Sequence, residues 1–217
     1  LSSAAGTYLD KNVGTGKSVN VTTMILGGTD ASNYVLTAAT ASSTGNITQR
    51  SISVSNISAA DKIYDGTNSA NYSTAAATYD RLVAGDTLSI AGSNAVFVNA
   101  AVGLSKPVTI TGLTLSGSDS ANYVLNSTSF VSSANISAKA ITVSGVAVIS
   151  KIYDTTTNAT LNVATATLSG YIAGDTLTIS SATGTFDTKD VGTNKTVSIT
   201  GLTLGGSSAA NYILSSN

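Results

Sequence analysis

Val108-Thr109-Ile110-Thr111-Gly112-Leu113-Thr114-Leu115 is the stretch on which the fold turns. Val108 and Ile110 alternate with threonines, the period-two pattern of a half-buried strand, and Leu113 and Leu115 then continue on the opposite parity. A strand whose alternation slips at a glycine is the signature of a β-bulge or bend. The same pattern returns at Val197, Ile199, Gly201, Leu202 and Leu204, whereas an earlier copy has Thr23 at the glycine position, so the bulge need not depend on glycine. Just downstream, Ala121-Asn122-Tyr123 reappears as Ala210-Asn211-Tyr212 and earlier as Ser32-Asn33-Tyr34, with an offset of 89 residues both times.

That offset organises the whole chain. It carries Gly14 to Gly103 and Gly192, Lys17 to Lys106 and Lys195, and Tyr8 to Phe97 and Phe186. Lys62-Ile63-Tyr64-Asp65 moves to Lys151-Ile152-Tyr153-Asp154, and Ala84-Gly85-Asp86-Thr87-Leu88 to Ala173-Gly174-Asp175-Thr176-Leu177, without an insertion or deletion. A period of 89 residues exceeds the roughly 20–50 of a solenoid coil, so each unit is read as a small domain with its own core. The division is 1–54 as the back part of a first repeat, 55–143 as a complete repeat, and 144–217 as a third repeat lacking its last strand, the counterpart of Phe130–Val143. The fold class is all-β: a tandem array of small β-sandwich repeats, immunoglobulin-like or β-grasp-like. Short, stiff junctions are expected near 54–58 and 143–148. Phe97 and Phe186, Val108 and Val197, Ile110 and Ile199, Leu113 and Leu202, and Tyr123 and Tyr212 are expected to face inward at matching places, because a one-residue slip would turn each set outward.

Composition narrows the functions. Hydrophobic residues make up 42% of the chain and charged residues 10%, enough apolar material to form cores and too little charge for a disordered polyelectrolyte. Ser, Thr, Ala, Asn and Gly fill the remainder, and glutamate is absent, so no long helix is expected. The net charge is −1 and the basic residues are scattered, which leaves no basic stripe for nucleic acid. No apolar stretch approaches the roughly 20 residues of a membrane-spanning helix. Cysteine is missing, which excludes disulfides and thiolate metal sites. Without an initiator Met, the start of the protein is expected upstream.

At Lys62-Ile63-Tyr64-Asp65-Gly66-Thr67, Ala84-Gly85-Asp86, Val102-Gly103, Lys106 and Ala121-Asn122-Tyr123 the chain resembles the YDG repeat, found in large haemagglutinin-like surface adhesins of Gram-negative bacteria. The resemblance covers essentially the whole chain; Thr155 stands where the last repeat would carry the motif glycine. It implies secreted, extracellular modules forming stalks or adhesive surfaces, with no catalytic residues. The repeat-motif positions on which structure should rest are Tyr64, Asp65, Asp86, Lys106, Asn122 and Tyr123, with their copies Tyr153, Asp154, Asp175, Lys195, Asn211 and Tyr212.

The chemistry on offer is sparse. The absence of His, Cys and Glu removes histidine triads, cysteine nucleophiles, Glu-based acid–base pairs and zinc sites. Asp residues recur singly in each repeat, a poor arrangement for a paired-carboxylate glycosidase. Calcium is the one candidate ion, with Asp61, Asp65 and Asn68, or Asp187 and Asp190, as the nearest oxygen sets. Neither set resembles an Asp-rich loop, and Asp65 and Asp86 read better as turn caps that accept backbone N–H bonds. The periodic tyrosines could stack on sugars, but their strict spacing favours part-buried rings with hydroxyls bonded to backbone, as at a tyrosine corner. An isopeptide cross-link at Lys17, Lys106 or Lys195 would want a buried acidic catalyst, and glutamate is unavailable. The sequons, Asn46-Ile47-Thr48 and Asn135-Ile136-Ser137 among them, follow from composition.

The reading is a structural repeat region of a secreted bacterial surface adhesin or extracellular fibre, with no enzyme activity and no resident cofactor. Its partners would be neighbouring repeats, other copies in a fibre, or surface glycans. The alternative is a carbohydrate- or matrix-binding module with one shallow site per repeat. Incomplete end repeats expose sheet edges, which points to a window of a longer chain or to strands donated between copies.

Overall fold

A computed structural model describes residues 1–215. The chain is all-β: short strands joined by turns, with single 3-10 turns as the only helical elements among the described residues. It divides into two compact units, 1–57 with 74–94 and 111–130, and 58–73 with 95–110 and 131–217. The middle repeat, 55–143, therefore contributes to both.

In the first unit, Ser3–Tyr8, Gly14–Ile25 and Ala41–Ile47 form an antiparallel sheet in chain order. Its register pairs Ser3 with Ile25 and Tyr8 with Val19, and it slips where Ala5 faces Thr23 and Gly6 faces Val21. Arg50–Ile52 runs parallel to Tyr123–Leu125, Val54–Ser55 pairs antiparallel with Thr78–Tyr79, and Ser89–Ala91 with Thr114–Ser116. Ile52, Ile57, Ile90, Leu113 and Tyr123 are its buried apolar residues.

In the second unit, a four-stranded sheet has the order Asn94–Phe97, Gly103–Thr111, Ser129–Ser137 and Lys62–Ile63, apart from a few end residues that belong to the first unit. Its last pair is parallel, with Ile136 opposite Lys62. Lys139–Ser144 pairs in parallel with Tyr212–Leu214 through its first half and antiparallel with Thr167–Ser169 through its second. A further sheet runs Ala147–Ile149, Asn158–Asn162, Thr178–Phe186 and Val197–Gly205. The core residues are Tyr64, Ala95, Phe97, Val108, Ile110, Ala134, Ile136, Ile141 and Tyr212.

The slipped alternation has a physical origin that differs between copies. In the last repeat the register shifts between Ser181–Thr203 and Thr183–Thr200, and Gly201 adopts φ +62 there. Gly112 has φ +65, and a Cβ on it would meet Ser93 Oγ at 2.0 Å. The first copy slips at Val21–Thr23 with no positive φ at Thr23. A bulge at this point is therefore built with or without the left-handed glycine.

Burial at the matching core positions is graded. Phe97, Val108, Ile110 and Leu113 are buried, whereas Phe186, Val197, Ile199 and Leu202 are only part-buried. The facing is the same, but Gly103–Thr111 lies between two strands while Val197–Gly205 sits at the edge of its sheet. No strand equivalent to Ser129–Ser137 covers it among the described residues.

The Tyr-Asp turn shows a local strain. Gly66 has φ +78, and its replacement in the last repeat, Thr155, is held at φ +69. A β-branched residue in that region is strained by on the order of 1–3 kcal/mol. Thr155→Gly should therefore stabilise the chain, by about 0.5–1 kcal/mol once glycine's greater freedom in the unfolded chain is set against the relief. Urea midpoints of the two proteins would check this, and a destabilised variant would show that the turn is not strained.

Candidate functional site: the contact between successive repeats

The repeat-motif residues fall into two groups. One group braces turns within a repeat. Asp65 accepts Thr67 N–H and Thr67 Oγ1 at 2.9 Å each and pairs with Lys62 Nζ at 2.8 Å. Asp154 does the same with Thr156 and Lys151. The Lys62 ammonium, ahead of the turn's own hydrogen bonds, holds the Asp65 carboxyl down to about 2, and Lys151 holds Asp154 likewise at about 2. Lys106 reaches Asn99 Oδ1 at 2.6 Å, and its copies Lys17 and Lys195 pair with Asp10 and Asp187, so each lysine ties down one hairpin loop.

The other group joins one repeat to the next. In the first unit, the hairpin loop after Tyr8 meets the Asn-Tyr motif of the middle repeat. Val13 N–H donates to Asn122 Oδ1 at 2.8 Å, and Asn122 Nδ2 donates to Asn12 Oδ1 at 3.2 Å. Lys11 pairs with Asp86 and, at 3.1 Å, with Asp119. Tyr123, buried, donates its hydroxyl to Asp86 Oδ2 at 2.8 Å and accepts the Val83 N–H at 3.1 Å. The Lys11 charge, and then the Tyr123 hydroxyl, hold the Asp86 carboxyl below its usual range.

The second unit repeats the arrangement one period later. Val102 N–H donates to Asn211 Oδ1 at 3.0 Å, and Ile172 N–H to the Tyr212 hydroxyl at 2.9 Å. Asp175 accepts from Tyr212, from Ser208 Oγ at 3.1 Å, and from the Tyr64 hydroxyl at 3.0 Å. The Tyr64 and Tyr212 rings meet edge to face with centroids 5.4 Å apart. Burial, and then the Asp175 carboxylate, push the Tyr212 hydroxyl up to about 12. Tyr153, the copy of Tyr64, is 51% exposed.

The two latches span the same distance along the chain. Val13 to Asn122 and Val102 to Asn211 are each 109 residues apart, more than one period, so each ties a loop of one repeat to the motif of the next. The amide, carboxylate and phenol groups at this contact are engaged with one another. Asp61 binds Asn135 through its N–H and side-chain amide, and no cluster of three metal-ligating side chains occurs among the described residues.

Lys11 and Asp119 vary between repeats: Lys11 is matched by Ala100 and Lys189, and Asp119 by Asp30 and Ser208, so strict periodicity does not mark them.

The sequence pattern of the YDG domain matches residues 1–42, 48–130 and 137–217. This chain belongs to the YDG domain family. The YDG segments start at 48 and 137, seven residues ahead of the divisions at 55 and 144, so the strands Arg50–Ile52 and Lys139–Ser144 open a domain in that phase. Comparison with curated proteins and with solved structures returned no match.

The depressed carboxyls set an acid limit for this YDG chain. A group whose pKa is lowered by folding contributes stability above its unfolded value, and that contribution is lost as pH falls through the folded value. For Asp65 and Asp154 the window runs from 3.8 down to about 2. For Tyr212 the sign reverses, because its contribution is present below 10.0 and is lost as pH rises through about 12. The thermal midpoint should therefore hold through neutral pH, fall below about pH 4 and fall again above about pH 10. Calorimetric scans across pH would check it; a midpoint already falling at pH 6 would contradict the assignment.

Proposed function

We propose that this chain is a structural repeat region of a secreted bacterial surface adhesin or extracellular fibre, serving as stalk or filament. The observation that carries the reading is the latch that recurs at the same 109-residue reach in both units. Stability in tandem arrays is a sum of repeat and nearest-neighbour terms, and a latch at every step stiffens the series. Catalysis forms no part of the proposal, since the buried polar groups already satisfy one another. The resemblance to haemagglutinin-like surface proteins of Gram-negative bacteria supports an extracellular place.

Antibody labelling of unpermeabilised producing cells and of their secreted fraction tests the location. Signal at the surface or in extracellular fibres is the expected result, and signal only after permeabilisation would overturn it.

A second reading, a glycan- or matrix-binding module, draws on Tyr171, which is 46% exposed beside an open depression lined by Val163, Leu168, Asp175 and Leu177. The whole chain on glycan and matrix-protein arrays discriminates the two. A stalk leaves the arrays blank, whereas a lectin binds and loses binding on Tyr171→Ala.

A further inference from the structure

The latch occurs in two chemical kinds. At the first, Lys11 faces two aspartates, Asp86 and Asp119. At the second, Ala100 occupies the lysine position and Ser208 that of the second aspartate, while Asp175 is kept. Ser208 takes over the hydrogen bond to Thr176 N–H that Asp119 makes to Thr87 N–H, at 3.2 Å and 2.9 Å. Lysine and second aspartate thus come and go together. An aspartate at 208 beside Asp175 would face no cation, and a lysine at 100 would find a single carboxylate already shared by two phenols and a serine. Like charges left without a counter-charge at a contact disfavour the wrong pairing.

The last repeat presents the donor side of the same latch, with nothing docked on it among the described residues. Lys189 stands at the position of Lys11, and Val191 at that of Val13 and Val102. Val191 is 88% exposed, while Val13 and Val102 are part-buried. Ile152 is 91% exposed and Tyr153 51%, while Tyr64, the copy of Tyr153, is 6% exposed under Tyr212. Phe186 N–H bonds Thr157 O at 2.8 Å, which brings the 151–158 segment beside the strand leading into the 187–191 loop.

We infer that Lys189, Val191 and Tyr153 form a docking surface for a YDG repeat of the acid-paired kind, one with aspartates at the positions of both Asp86 and Asp119. The occupant is a repeat outside these residues, not a second copy of this chain, whose acid pair already holds Lys11 and whose Asp175 already holds Tyr64. The inference rests on the stacking of repeats and not on where the array is displayed.

The test extends the whole chain. A copy of residues 40–130 appended after Asn217 keeps the 89-residue phase and offers the acid pair. A second extended chain carries Asp119→Ser in that copy. Lys189 acetylation is followed by mass spectrometry and Val191 amide exchange by NMR. The expected result is protection of Val191 in both extended chains relative to the parent, and several-fold slower acetylation of Lys189 only in the acid-paired one. Equal acetylation in the two, with Val191 protected, overturns the charge pairing. An unprotected Val191 in both overturns the docking surface itself. Within the parent chain, Lys11→Ala and Asp119→Ser should each lower the urea midpoint and the double variant should lose less than their sum; strict additivity counts against the pairing. None of these readouts depends on cell location or glycan binding, so they can fail independently of the proposed function.

Discussion

Phe97→Ala should lower the unfolding free energy by about 3–5 kcal/mol, and Phe186→Ala clearly less. The two positions are one period apart and share their surroundings up to a point. Each ring carries a lysine ammonium over its face, Lys62 at 5.6 Å from the Phe97 centroid and Lys151 at 5.7 Å from that of Phe186. The cation–π contribution therefore cancels in the comparison, and burial remains. Phe97 is 1% exposed, in a sheet whose next strand, Gly103–Thr111, is flanked by Ser129–Ser137. Phe186 is part-buried, and Val197–Gly205 is flanked by no such strand among the described residues. Deleting an aromatic ring costs its transfer free energy plus the cavity it leaves, and an open site leaves less of a cavity. Urea unfolding of both variants gives the two losses; equal losses would mean that the flanking strand does not close the core.

The all-β class was legible in the alternation of Val108 and Ile110 and in the parity change that follows, because strand period and bulge are local properties of sequence. The equal facing of Phe97 and Phe186 was legible for the same reason: identical spacing fixes identical register. The latch was not legible, since periodicity shows that Asn122 and Asn211 have equivalent surroundings without showing what those surroundings are. A self-contained bead and an interlocked array give the same 89-residue pattern, and only coordinates reveal a reach of 109. Asp86, read from sequence as a turn cap, accepts from the buried Tyr123 phenol, and its copy Asp175 from that of Tyr212. An aspartate in a Gly-Asp turn carries no mark of a tyrosine 37 residues later in the chain. Lys11 and Asp119 were hidden for the opposite reason, because attention to what repeats passes over what changes.

Asp175→Ala should be the most damaging single change at the contact between repeats. The Asp175 carboxylate accepts hydroxyls from Tyr64, in the middle repeat, and from Tyr212 and Ser208 in the last. Tyr64 and Tyr212 are 6% and 5% exposed, so water cannot readily replace the lost acceptor. A buried donor left without a partner costs about 1–3 kcal/mol, and this substitution orphans two. Tyr64→Phe removes a donor along with its need for an acceptor and should cost only about 0.5–1.5 kcal/mol. In combination, Tyr64→Phe should spare part of the Asp175→Ala loss, the non-additivity expected of groups in one network. Because the node links two successive repeats, its loss should also weaken their cooperation, and a single urea transition should broaden or split. The Ile172 amide, which donates to the Tyr212 hydroxyl at 2.9 Å, reports on the node from inside. Its hydrogen exchange should accelerate in Asp175→Ala and stay slow in Asp190→Ala, at an exposed aspartate of the same repeat. Equal stability and unchanged exchange in both variants would show that the phenol–carboxylate node is incidental and that packing of the tyrosine rings alone holds the repeats together.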